Sequence, residues 1–315
     1  MSKNIVFVSK CLCFICLLII ADFVAGAVLN KLFYKQKSGK FFTTSHALKD
    51  GAEDIVIFGN SHAAQHFNAP IMKKELHASV FNFGNQGQSL LYVYPVVKSI
   101  LDRYKPKLVI INVDYTELQY NSDDYQRLSI LLPYYTLNAH VDSAIEMIDV
   151  KEQYKALSSS YRYNSIIGYS LLNTFKPTLN KSYISLGYDP VYGDICANLQ
   201  QEGNIVVQTP DQKVRFDHHK IKELTDLISA IQKQGVSLLI TTTPLYNDDV
   251  KKKNPYALKM ASILKGAHVD YLNDGHNPDF AGNCKLFSDL THLNDTGATE
   301  WTNRVIQYIK QKRFF

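Results

Sequence analysis

A chain of 315 residues, 46% hydrophobic and 20% charged, can bury a sizeable core and has the balance of a globular protein rather than a disordered one. Its formal charge of +5 comes from lysines scattered along the chain, not from a basic block, which argues against dedicated nucleic-acid binding. Three of the five cysteines, Cys11, Cys13 and Cys16, crowd into one apolar stretch, none in a lipoprotein-like context. Only Cys196 and Cys284 remain, and two cysteines so far apart are expected to be buried thiols rather than a bonded pair.

That stretch, Cys11 to Leu29, is broken only by Asp22 and a few small residues. About nineteen residues of helix just cross a bilayer's hydrocarbon core. We read residues 1–35 as a single-pass signal anchor, with Leu32, Phe33 and Tyr34 as an interfacial belt beside lysines that can snorkel. Lysines lie on both sides of the segment, so charge alone does not settle its orientation. The expected location is the cell envelope, with the folded part outside the cytoplasm. Ala25-Gly26-Ala27 offers a cleavage site, and secretion after cleavage is the alternative. Residues 36–53, polar and containing Lys, Ser, Gly and Thr, read as a stalk.

The folded part is expected at 54–315. Ile55 to Phe58, Ser79 to Phe83, Leu108 to Val113 and Val236 to Thr241 are short apolar runs of the kind that form parallel strands buried on both faces, with Val269 to Leu272 a weaker fifth. Helical patterns separate them at Ala69 to Leu76, Ser89 to Tyr104, His219 to Gln234 and Pro255 to Leu264, and a last one runs from Thr296 to Lys312. This alternation predicts an α/β fold, a flavodoxin-like three-layer arrangement around a parallel sheet. Residues 120–216 break the rhythm and carry many tyrosines, among them Tyr125, Tyr134, Tyr154, Tyr161, Tyr163, Tyr183, Tyr188 and Tyr192. A stretch this long should form a helical insertion near the ligand-binding end of the sheet. Its tyrosines either stack on a ligand or, as is commoner, fill the insertion's own core.

Three short motifs fall at the ends of these strands. Gly59-Asn60-Ser61 follows the first strand and precedes a helix, which suits a nucleophilic hydroxyl beside free backbone N–H groups, although a plain turn and cap gives the same tripeptide. Asn82 to Ser89 closes the second strand with two glycines, and Gly87 is the candidate for an oxyanion amide. Asp289-Leu290-Thr291-His292 puts a carboxylate three residues before an imidazole, just ahead of a helix that Asn294 or Asp295 can cap. A hydroxyl, an imidazole to take its proton and a carboxylate to orient the imidazole are the parts of nucleophilic acyl transfer.

In these blocks the chain resembles the SGNH (GDSL-like) hydrolase superfamily. The resemblance covers residues 54–120 and 217–315 and leaves the insertion unexplained. It implies Ser61 as nucleophile, His292 as base and acid, Asp289 as its orienter, and an oxyanion hole from the Ser61 and Gly87 amides. The family's third block, Gly-x-Asn-Asp, is replaced here by Asn112-Val113-Asp114-Tyr115-Thr116-Glu117. Thr116 occupies the asparagine's place in an ungapped reading, and Asn112 is the other candidate donor. His62, Asn85 and Tyr115 are the expected substrate contacts. His62 after the serine, together with the anchor, is similar to a membrane-tethered branch that includes alginate-acetylation and teichoic-acid D-alanylation proteins. That likeness implies an esterase or O-acyltransferase acting on an acylated cell-envelope glycan, with a membrane-bound acyltransferase as partner. A non-catalytic glycan-binding or assembly protein and a lipid-directed esterase are the alternatives.

Other constellations point elsewhere only weakly. His218-His219 reads as a solvated helix start rather than a zinc site, and Lys251-Lys252-Lys253 as an exposed loop. Asp114 and Glu117 are too close in sequence for a glycosidase pair. No phosphate-binding glycine loop is present, and neither a metal nor a cofactor is expected.

Overall fold

The computed structural model describes residues 3–164, 166–176, 185–197, 214–247 and 254–315. Tyr183 and the lysine run at 251–253 lie outside the described residues. Five parallel strands, β1 (Ile55–Phe58), β2 (Val80–Asn82), β3 (Leu108–Asn112), β4 (Ser237–Thr242) and β5 (Asp270–Asn273), form one sheet in the order β2-β1-β3-β4-β5. This is the flavodoxin-like α/β order, with its direction of winding reversing between β1 and β3.

The strand alternation divides the core in two. Val56, Phe58, Val109, Ile111, Leu238 and Ile240 face one layer, while Ile55, Ile57, Leu108, Ile110 and Leu239 face the other. Helices α1 (Lys3–Phe33), α2 (Gly39–Ser45), α3 (Ser61–His66), α4 (Ala69–Leu76) and α5 (Leu90–Arg103) occupy the first part of the chain. The insertion adds α6 (Ser122–Arg127), α7 (Ala139–Glu146), α8 (Glu152–Lys155) and α9 (Ile167–Phe175). Next come α10 (His218–Lys233), α11 (Pro255–Gly266) and α12 (Asp295–Lys312). Helices α5 and α10 bury Val96, Val97, Leu224 and Leu227 against the first layer, whereas α4 and α12 cover the second with Met72, Trp301 and Val305.

Three expectations need correction or refinement. The supposed stalk is packed: residues 39–50 are helical, and Phe41, Ala47 and Leu48 are buried in the first core layer. Its polar composition conceals an apolar face that α5 and the insertion cover. Cys196 and Cys284 are bonded to each other, because the fold brings Cα atoms 88 residues apart to within 5.0 Å. The bond ties the end of the insertion to the turn five residues before Asp289. The described residues of the insertion are mainly helical, with Leu128, Leu131, Val141 and Ile145 joining the first core layer. Tyr134, Tyr163 and Tyr188 are buried, so these three pack rather than bind.

Helix α1 runs 31 residues, is exposed along most of its length and has a mean hydropathy of 2.7 over its most apolar window. By length and composition it can cross a membrane, and a signal sequence would have the same features.

Candidate active site

Strand β1 is followed by Gly59 at φ +143°, where a Cβ would meet the Asn112 carbonyl oxygen at 2.6 Å. Only glycine lets the chain turn this closely over β3. Asn60 then caps α3, its Oδ1 accepting from the His62 N–H at 2.9 Å. Ser61 is therefore the first residue of a helix, and its amide has no acceptor within that helix. Its Oγ lies 2.8 Å from His292 Nε2.

The loop bearing His292 is closed by the bridge between Phe287 and Leu293 and by the Ser288 amide, which donates to the His292 carbonyl at 2.9 Å. Asp289 folds back within it. Its Oδ1 accepts from the Thr291 and His292 amides, both at 2.8 Å, and its Oδ2 meets His292 Nδ1 at 2.8 Å. Burial alone would raise this carboxyl, but the two amides and the ring outweigh it and hold Asp289 below the usual carboxylate range. A carboxylate at Nδ1 requires the proton there, which leaves the Nε2 lone pair facing the Ser61 hydroxyl. After the loop, Asn294 rather than Asp295 caps α12, through Gly297 N–H at 3.0 Å. A Cβ on Gly297 would lie 2.2 Å from the Leu286 carbonyl oxygen, so only glycine lets the helix start this close to the loop.

A cleft of about 530 Å³ opens beside Ser61 at the β1/β3 reversal, lined by Ser61, Gly87, Thr116, Asp124, Arg127 and Lys220 among others. Gly87 and Thr116 thus border the same space as the serine. Arg127, from the insertion, donates to the Gly87 carbonyl at 2.8 Å and fixes that turn. At the cleft wall, burial pushes Glu117 up to about 7, opposed by Lys220 and by the Leu90 N–H that it accepts.

Other expected contacts lie elsewhere. Asn112 is buried at the end of β3, its Oδ1 accepting from Thr241 Oγ1 at 3.0 Å, and it does not line the cleft. Asn85 is buried beneath the turn after β2, its amide nitrogen facing Thr44 Oγ1 at 3.2 Å and its backbone N–H on the Gly59 carbonyl. It supports the turn rather than facing substrate. Tyr115 stacks on His276 and donates to Asn273 Oδ1 at 2.7 Å, in a separate hollow. His62 is also buried, its Nδ1 bonded to Asp114 Oδ1 at 2.7 Å, while Asn60 donates to Asp114 Oδ2 at 2.5 Å.

Asp114, considered in the sequence only as half of a glycosidase pair, is thus the brace of the Asn60 cap. Its signal was its place two residues beyond β3, beside the end of β1. His66 went unremarked altogether. It is fully buried, accepts the Leu293 N–H through Nε2 at 3.0 Å, and so ties α3 to the His292 loop. Burial, reinforced by His62 and His292, pushes it well below the ordinary histidine value. Arg127, Asp124 and Lys220 carry no motif that could have marked them. Among the described residues no group of three or more His, Cys, Asp or Glu side chains is set to hold a metal ion.

No family model matches the sequence, and no curated protein matches it. Among solved structures the chain is similar to a Bacteroides fragilis protein assigned as an acylhydrolase, at 11% identity and TM-score 0.40 over 83% of this chain and 88% of that one. It is also similar to an acetyl xylan esterase, at 12% identity and TM-score 0.40 over 81% of this chain and 99% of the other. A GDSL-like lipase from Bacteroides thetaiotaomicron aligns at 11% identity and TM-score 0.37 over 85% and 96% of the two chains. Overlaps this loose assign no activity to this chain.

Proposed function

We propose that this chain is a membrane-anchored, extracytoplasmic serine esterase or O-acyltransferase of the SGNH type, acting on acyl groups of a cell-envelope glycan through an acyl-Ser61 intermediate. The observation that carries the reading is the continuous path Ser61 Oγ, His292 Nε2, His292 Nδ1, Asp289 Oδ2, with both hydrogen bonds at 2.8 Å. Ser61 Oγ attacks the ester carbonyl carbon while its proton passes to His292 Nε2, and Asp289 stabilises the imidazolium. The carbonyl electron pair moves to oxygen, where the Ser61 and Gly87 amides and the Thr116 hydroxyl are the candidate donors. Collapse expels the alcohol, which leaves with the proton from His292. Water or an acceptor hydroxyl then gives its proton to His292 and attacks the acyl carbon, releasing Ser61.

The cleft's hydroxyl, amide and charged lining suits a polar sugar better than a long acyl chain. The Cys196–Cys284 bond suits an oxidising compartment, and α1 suits an anchor. The alternative of a non-catalytic glycan-binding partner of a membrane-bound acyltransferase is favoured by the withdrawal of Asn112 from the cleft. A chromogenic acetyl ester separates the two readings. Turnover that Ser61→Ala abolishes supports the esterase, whereas glycan binding that survives Ser61→Ala without any turnover supports the binding partner. Hydrolysis of long-chain esters in preference to acetyl esters would point to a lipid substrate.

A further inference from the structure

Helix α1 does not simply lead away from the folded part. From Asp22 onward one of its faces is docked on the insertion: Asp22 accepts from Ser158 Oγ and the Ser159 amide at 2.7 Å, and from the Ser160 amide and hydroxyl. Gly26 is buried one turn later, Asn30 donates to the Tyr163 hydroxyl at 2.7 Å, and Phe33 is buried among Phe41, Tyr134 and Tyr163. The spacing of these residues places them along one face of the helix.

This docking fixes how deep the insertion sits. An α-helix rises ~1.5 Å per residue and a hydrocarbon core is ~30 Å thick, so a span needs about twenty residues. Counted from Lys3, the span ends close to Asp22; counted from beyond Lys10, it ends close to Asn30. Docking at Asp22 selects the first register, which puts the Ser158–Ser160 loop at the membrane surface; the second would sink that loop about 12 Å into the hydrocarbon core, where its backbone groups find no water.

Immediately before that loop, Val150, Tyr154 and Leu157 are 69%, 66% and 66% exposed. Their spacing of four and three places them on one side of the α8 turn, while Glu152 and Ala156 on its other side are buried. Lys151 and Lys155 are exposed beside the apolar stripe. An apolar stripe with a tyrosine and flanking lysines is the composition of a segment that lies in a bilayer interface.

The geometry points to a second membrane contact: residues 150–157 of the insertion rest on the bilayer that α1 crosses, with Val150, Tyr154 and Leu157 at the headgroup–acyl boundary and Lys151 on anionic headgroups, while Lys155 is paired with Glu152. The opposite side of the same segment, with Glu152, Tyr161 and Asn164, lines a second cleft of about 700 Å³. That cleft shares Gly87, Gln88 and Arg127 with the cleft beside Ser61. Contact at 150–157 therefore sets the serine's extended cleft at a fixed height over the membrane.

The inference rests on α1 being a span, and the experiment separates the two. The full chain is reconstituted in nanodiscs of phosphatidylethanolamine and phosphatidylglycerol, with or without acyl-brominated phosphatidylcholine, a quencher of tryptophan. The single native tryptophan, Trp301, is fully buried and gives a constant background. Leu157→Trp and Val150→Trp should each lose about half of their added emission to the brominated lipid, whereas Leu258→Trp, exposed on α11, should lose none. Phe14→Trp on α1 reports the span itself. Quenching at 14 with none at 150 and 157 overturns the second contact and leaves the anchor standing. Absence of quenching at 14 removes the anchor and the second contact together.

Discussion

Two imidazole–carboxylate couples stand side by side in this molecule, with ring centroids 4.9 Å apart. His292 bonds Asp289 at 2.8 Å and His62 bonds Asp114 at 2.7 Å, so neither pairing alone marks a catalyst. The difference lies at the far side of each ring. His292 turns Nε2 to the Ser61 hydroxyl, whereas His62 stacks on the buried His66 at 4.9 Å and belongs to the brace around the Asn60 cap. On the proposed reading one couple moves a proton and the other holds a turn. The lesson is that the partner of the second nitrogen, not the carboxylate, distinguishes a base from a strut.

The largest effects should fall on the first couple. His292→Ala is expected to lower acetyl-ester kcat by about 10⁴-fold or more, since removing one member of such a triad costs nearly as much as removing all of it. Asp289→Asn should cost about 10⁴-fold, because an amide disfavours the tautomer that frees Nε2. Steady-state rates on a chromogenic acetate check both. Losses below tenfold would place the chemistry elsewhere. The disulfide anchors the His292 loop and leaves the His62 brace untouched. Cys196→Ser with Cys284→Ser should therefore destabilise the fold by about 2–5 kcal/mol in denaturant titration.

Smaller effects sharpen the contrast. Asp114→Asn and His62→Gln should keep kcat within about tenfold of the parent, because they loosen a cap worth roughly 1 kcal/mol. A loss as deep as that of Asp289→Asn would mean that both couples handle protons. Between the two couples, His66 is held uncharged by burial while the unfolded chain takes up a proton near pH ~6.5. The unfolded state thus binds more protons below that pH, and stability should fall as pH drops from about 6.5, by at most ~1.4 kcal/mol per unit from this group. His66→Gln should flatten the fall in Tm between pH 7 and 5. The depressed Asp289 carboxyl acts in the same direction but lower. Its contribution is present above about pH 3.9 and is lost as pH falls through its folded value.

The sheet was legible because its strands are short apolar runs with turn residues at their ends, and all five lie where the pattern predicts. That Ser61, Asp289 and His292 come within hydrogen-bond reach of one another was legible as well, since the serine follows a strand directly and the other two share one turn. Residues 39–50 were not, because Phe41 and Leu48 find their partners on α5 and the insertion, far off in sequence. The cysteine pairing failed for the same reason: 88 residues separate two atoms that only the tertiary fold brings together. Asn85, Asn112 and Tyr115 were assigned by adjacency to strand ends. At such places successive side chains point in opposite directions, so position in the chain does not say which one meets the cleft. Arg127 and Lys220 reach the cleft from the insertion and from α10, where nothing local announces them.

The central claim is that His292, and not the neighbouring His62, activates Ser61. Labelling the folded protein with a fluorophosphonate and locating the adduct by peptide mass spectrometry tests it most directly. A single adduct on Ser61, lost in His292→Ala and kept in His62→Gln, is the predicted result. An adduct that persists in His292→Ala but disappears in His62→Gln, or no adduct on Ser61 at all, would contradict it.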